Sequence, residues 1–203
     1  MKESTTPSIP LGMFFRVELK LQRVNKAKKW PSLFYQFPDL KPLLSTSEHP
    51  SFAIGFDDHG LKFSISSDCR SKPKMSLDKW RSGDSLELFI DSKSLHNART
   101  KHRFFHQFVI FPESIEEVSS RLFRFEAEKR DNVVQVHVES DIDEIRYDVT
   151  IPWEVLEGFD YGETAYLGFG FRLNRTGFPA LMFPVASNLI DKMPSLLARC
   201  EVS

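Results

Sequence analysis

The chain has 203 residues, 41% of them hydrophobic and 27% charged, with a formal net charge of −1. That length suits one all-β domain with a substantial core, and the near-even charge balance gives the molecule no electrostatic reason to seek nucleic acid or an anionic membrane. Phenylalanine stands out, with 19 residues against only 9 glycines, and its strand preference and large buried area lean the class toward β.

In chain order, Met1 to Leu11 is polar and rich in Ser, Thr and Pro, and reads as a flexible N-terminal segment ahead of a single domain over 12–203. Val17, Leu19 and Leu21 then alternate with charged residues. Phe52, Ile54 and Phe56 alternate, Asp57-Asp58-His59-Gly60 makes a turn, and Leu61, Phe63 and Ile65 alternate again, which predicts a hairpin. Leu86, Leu88 and Ile90 place Glu87, Phe89 and Asp91 on the opposite face. Phe104 to Phe111 is apolar on both faces and predicts a strand at the centre of a sheet.

Leu122 to Ala127 and Val133 to Val138 flank a turn at Arg130-Asp131-Asn132. Ile145, Tyr147, Val149 and Ile151 run into Pro152, and Trp153 to Leu156 reads as a single helical turn. Leu167, Phe169, Phe171 and Leu173 alternate with Gly168, Gly170, Arg172 and Asn174, and Phe178 to Val185 and Leu196 to Val202 complete the series. About nine short antiparallel strands without long helical periods predict an all-β sandwich or jelly roll.

Catalytic signals are weak. The sequence carries no phosphate loop, nucleophile elbow, dinucleotide fingerprint or zinc-protease motif. His102 and His106 have the spacing of a helical zinc pair, but in a strand four residues span about 13 Å, too far for one ion. His106 shares a strand face with Phe108, so it is a packed core histidine or one polar group in a pocket. Ser140 to Glu144 lacks the glycine and terminal glutamate of a calcium loop. The basic runs at Lys26 to Lys29, Arg70 to Lys74 and Arg99 to Arg103 sit beside turn formers and read as solvated loops. No stretch reaches membrane-span length, Met1 to Pro10 lacks the apolar core of a secretion signal, and Cys69 and Cys200 are too few for a disulfide framework. These features predict a cytoplasmic protein, not an enzyme, with no cofactor, no metal, no nucleic-acid partner and no membrane.

Two segments carry a resemblance. Trp80-Arg-Ser-Gly-Asp-Ser-Leu-Glu-Leu-Phe-Ile-Asp91 and Tyr147-Asp-Val-Thr-Ile-Pro-Trp-Glu-Val-Leu156 resemble segments of family-nine-like carbohydrate-binding modules, in matching order, from about Phe52 to the C-terminus. The resemblance implies a jelly roll in which aromatic rings and polar groups grip a saccharide. On that footing the ligand-binding candidates are Trp80, Glu87, Arg172, Asn174, Arg175 and His106. Trp80 is either a sugar platform or a residue packing its loop to the core.

Glu87 faces away from Leu86 and Leu88, and Arg172 and Asn174 share a face with two glycines that leave room for a ligand or a long side chain. If both strands line one concave sheet, Glu87 and Arg172 form a charge-assisted pair, either placing hydroxyl-binding groups or serving structure alone. The competing expectation is a protein-interaction module with a filled concave face and an apolar patch around Phe14, Phe15 and Trp30. A haem-binding relative of the fold is a remote third.

Overall fold

The computed structural model describes residues 17–24, 30–31, 51–68, 74, 80–95, 97–112, 134–140, 144–185 and 187–202. Among these, eleven strands form two mixed sheets, with no helix beyond single 3-10 turns. The first sheet has the order β1 (Glu18–Lys20), β11 (Ala198–Glu201), β9 (Tyr166–Arg175), β5 (Ser85–Asp91), β6 (Phe105–Ile110), with β10 (Phe178–Phe183) also paired to β9. The second runs β2 (Gln22–Arg23), β3 (Ser51–Phe56), β4 (Gly60–Asp68), β8 (Glu144–Pro152), β7 (Gln135–Ser140).

Alternation sets which residues meet between the sheets, because successive side chains point to opposite faces. Phe52, Ile54 and Phe56 from β3, Phe63 and Ile65 from β4, and Leu86, Leu88 and Ile90 from β5 all enter one core with Phe169, Phe171 and Leu173 from β9. The phenylalanines bridge the layers. The Phe52 and Phe171 rings lie 5.2 Å apart edge to face, and Phe63 sits 5.3 Å from Phe169 and 5.5 Å from Phe171. Such pairs add packing energy beyond area burial.

The first strand pattern is split between the layers. β1 pairs with β11, β2 pairs with β3, both parallel, and buried Leu21 between them marks where the chain changes sheet. The expected hairpin is β3–β4, whose turn is held by Asp57 Oδ1 accepting from the amides of His59 and Gly60 at 2.9 and 3.1 Å. β8 runs through Pro152 into the expected single turn, Trp153–Val155. Trp153 is buried there, stacked on Phe159 and Tyr161, and its indole donates to the Asp57 carbonyl at 2.9 Å.

One expectation needs correction, and one resolves between its alternatives. Among the described residues, β6 is at the edge of the first sheet, not its centre. The Phe105 end of its outer face is nevertheless apolar, because Phe105 packs with Phe89 of β5 beneath Ile190 and Leu197, which arrive from the segment between β10 and β11. The same segment fills the space above the two glycines of β9, where room for a ligand or a long side chain was expected, so the side-chain alternative is the one the structure shows, with leucine and isoleucine in place of an arginine. A Cβ on Gly168 would come within 3.2 Å of Leu197, and one on Gly170 within 2.9 Å of Leu197 and 3.0 Å of Ile190. The strand expected at 122–127, with Cys69, Phe14 and Phe15, lies outside the described residues. Trp30 is half-buried beside Gly55 of the second sheet.

Candidate functional site

The outer face of the first sheet changes character along its strands. Register sets Ser85 opposite Asn174, Glu87 opposite Arg172, Phe89 opposite Gly170 and Asp91 opposite Gly168. On the other side of β5, Glu87 faces Val109 and Phe89 faces Gln107. The stretch around Gly170 and Phe89 is apolar and covered by Ile190 and Leu197, Asp91 lies buried beyond it at Gly168, and the end near Asn174 is polar.

Glu87, wholly buried, is the centre of the polar end. Arg172 Nη1 donates to its Oε1 at 3.4 Å, Asn174 Nδ2 to the same oxygen at 3.0 Å, and Gln107 Nε2 to Oε2 at 2.9 Å. Arg81 adds a two-pronged contact, Nε to Oε1 and Nη2 to Oε2, both at 3.2 Å. That geometry matches a planar guanidinium fork to a carboxylate. Arg81 Nη2 also reaches Asp191 Oδ2 at 2.7 Å, Lys101 Nζ donates to Gln107 Oε1 at 3.0 Å, and Asn174 Nδ2 contacts Ser85 Oγ at 3.0 Å.

The charges respond to this setting. Burial pulls the Arg172 pKa below the ordinary guanidinium value and outweighs the raising effect of Glu87; the group stays protonated at any ordinary pH. Burial acts on Arg81 in the same sense, but its hydrogen bonds to Glu87 and Asp191 carry its pKa upward. The Lys101 ammonium is held below its usual value by burial.

Asp84 ties the rim together. Its carboxylate accepts from the amide and hydroxyl of Thr176, at 2.8 and 2.9 Å, and from the amide of Lys74 at 2.6 Å. The 3-10 turn Trp80–Ser82, which delivers Arg81 to Glu87, is thereby held next to the β9–β10 turn.

Of the residues singled out from sequence, Glu87, Arg172 and Asn174 meet at this one site. Trp80 begins the turn that carries Arg81, while its side chain lies outside the described residues. His106 and Arg175 are not at the site, because both have core-facing positions on their strands. His106 is opposite Ile90 and stacks against Phe108 with ring centres 6.3 Å apart. Arg175 crosses to the other sheet, where Nη1 donates to Ser67 Oγ at 3.2 Å, and its guanidinium lies over Phe178.

Sequence reasoning missed Arg81, Gln107, Lys101 and Asp191. Gln107 had a signal, as the one polar side chain between His106 and Phe111. Asp191 had none: it meets Arg81 across 110 positions of chain. Among the described residues no cluster of His, Cys, Asp or Glu could hold a metal ion, and no helix is long and apolar enough to cross a membrane.

No protein-family model matches the chain, and no curated protein matches it in sequence. Solved structures do match the fold. A family-nine carbohydrate-binding module from Caldicellulosiruptor kristjanssonii, in complex with cellotriose, superposes with a TM-score of 0.65 at 13% identity, over 91% of this chain and 92% of that one. The same kind of module in complex with glucose gives 0.63 at 13% identity, over 92% and 95%. A candidate carbohydrate-binding protein from Bacteroides uniformis gives 0.52 at 10% identity, over 92% and 99%. At these identities the likeness is one of fold: a β-sandwich like that of the family-nine modules.

Proposed function

We propose that this sandwich is a non-catalytic saccharide-binding domain whose site is the polar end of the first sheet's outer face. The observation that carries the proposal is the fixed group around Glu87, in which two guanidinium groups and two side-chain amides all donate to one carboxylate. Sugar hydroxyls both donate and accept. A site that recognises them needs charged and amide groups held rigidly, since loose ones lose the gain to ordering entropy.

The sheet backbone and mutual hydrogen bonds supply that rigidity here. Trp80, next in the chain to Arg81, is the proposed apolar platform for a sugar ring, with Asn174 and Arg81 addressing its hydroxyls while Glu87 holds both in place. The domain acts by holding its ligand, with no bond made or broken. Support also comes from the fold neighbours, two of which are in complex with cellotriose and with glucose.

Isothermal calorimetry with a panel of mono- and oligosaccharides tests this reading. Saturable heat with at least one sugar, weakened about tenfold or more by Trp80→Ala and by Asn174→Ala, is the expected result, in line with the loss of a packed ring face or a well-placed polar partner. If the folded wild-type protein gives no heat with any of them, the reading fails.

A further inference from the structure

Glu87 has no acceptor capacity left. Five donor contacts from Arg81, Gln107, Arg172 and Asn174 converge on its two oxygens. Arg172 is in the opposite position. It is only 2% exposed and gives Glu87 a single hydrogen bond through Nη1, while its Nε and Nη2 have no acceptor. Those two N–H groups form one edge of the guanidinium, the edge that takes a carboxylate through two parallel hydrogen bonds. Nearby, Asp191 Oδ1 has no donor, although Oδ2 takes Arg81.

Charge points the same way. Among the described residues, the charges that act most strongly on Lys101 and Arg172 are the cations Arg81 and Lys192 and the two carboxylates Glu87 and Asp191. The chain as a whole has a net charge of −1, so this positive excess is local. Burial, joined by the neighbouring cations, lowers the pKa of both Arg172 and Lys101 by more than Glu87 and Asp191 raise it.

We infer that the site selects acidic saccharides, with the carboxylate of a uronic acid residue taking the Nε–Nη2 edge of Arg172. The inference rests on the saccharide reading above and adds the ligand's charge to it. Asp191 Oδ1 then accepts a hydroxyl of the same sugar. Of the side chains that donate to Glu87, Arg81 is the one in contact with solvent, at 43% exposed, so the sugar enters past it.

The test pairs each acid with its neutral counterpart: glucuronate with glucose and galacturonate with galactose, plus acetate, all by calorimetry at low ionic strength near neutral pH. At least one uronate should bind about tenfold tighter than its neutral partner, as a charge-assisted pair in a buried setting provides. That advantage should shrink in about 0.5 M salt. Arg172→Lys retains the charge but lacks the planar fork, and should remove most of the advantage.

Neutral sugars binding as tightly as their acids would overturn the inference and leave the saccharide reading standing. Acetate binding as tightly as a uronate would also overturn it, because the sugar would then contribute nothing. If neither acids nor neutral sugars bind, both fall. The wild-type comparison alone separates these outcomes, so it decides the matter even where the Lys variant fails to fold.

Discussion

The outer faces of the two sheets hold similar residues in different states. On the second sheet, Arg146 and Asp148 of β8 pair at 2.9 Å, Lys62 reaches Asp57 at 3.1 Å, and Ser51 and Ser66 share a hydrogen bond of 2.8 Å. Ser51, Ser66 and Arg146 line a cavity of about 150 Å³ with Pro31 and Ser64, and Arg146 and Asp148 remain partly exposed. On the first sheet the same chemistry is sealed. Glu87 and Arg172 are 0% and 2% exposed, beneath Arg81 from one loop and beside Asp191 from another. Strand alternation alone yields a solvated ladder of polar pairs; loops arriving from elsewhere in the chain turn one such ladder into a buried, charged site.

The difference between the faces should be largest at Glu87. Glu87→Gln leaves the Arg172 and Arg81 guanidinium groups near each other without their shared counter-charge. Stripping one partner from a buried ion pair costs about 3–5 kcal/mol, and urea unfolding should show a loss of that size. A loss under about 1 kcal/mol would mean that the cluster is wet and the two faces are alike. Next comes the cover over the glycine end. Leu197→Ala removes the side chain that packs on Gly168, Gly170 and Phe89, and a buried leucine truncation costs about 2–4 kcal/mol. It should destabilise the domain by that amount; a much smaller cost would mean that this end of the face is loosely covered.

These two residues also mark what could be read in advance. Alternation exposed the strands because burial in a half-covered sheet repeats every second residue, and the same period put Glu87, Arg172 and Asn174 away from the core. It also put His106 on the face of Phe108, where the ring is indeed packed in the core; it did not separate Arg175, a polar side chain at a core-facing position, from the candidates for the site. Nor could it reveal the cover. Ile190 and Leu197 reach Phe89 and Phe105 only after the chain has returned across the sheet, and that return leaves no periodic trace. The run from Phe104 to Phe111 looked central because both faces are apolar, yet a covered edge strand has the same pattern. Pairwise register is local information; coverage by distant loops is not.

A smaller effect is expected at the β3–β4 turn on the second sheet. Burial tends to raise the Asp57 pKa, but its hydrogen bonds to the His59 and Gly60 amides and its pairing with Lys62 bring it below the ordinary carboxylate value. A folded-state pKa below the unfolded one means stability that is fully present above the unfolded value of about 3.9 and is lost as pH falls through the folded value. Asp57→Ala should therefore cost about 1–2 kcal/mol at neutral pH, the worth of a turn's charge-assisted hydrogen bonds at partial exposure. The difference from wild type should narrow below about pH 4. A difference constant from pH 7 to pH 3, followed by denaturant unfolding, would show that the charge at Asp57 does not matter.

The smallest effect belongs to the pair that most resembles Glu87 and Arg172 in sequence terms. Arg146 and Asp148 are two residues apart on one strand, so their side chains share the outer face of β8, and they are 33% and 20% exposed. Solvent reaches part of each side chain, although Arg146 Nε and Asp148 Oδ1 are themselves covered, and a partly exposed ion pair gains little beyond what each charge has in solvent. Asp148→Asn should cost less than about 1 kcal/mol, and that small cost should fall further as salt is added. Glu87→Gln should show little salt dependence, because ions do not screen a pair from which solvent is excluded. The contrast in salt response is sharper than the contrast in size, since it reports directly whether solvent reaches the charges. If the two variants responded to salt alike, the burial of Glu87 would no longer distinguish the two faces, and the polar end of the first sheet would be one more solvated ladder rather than a built site.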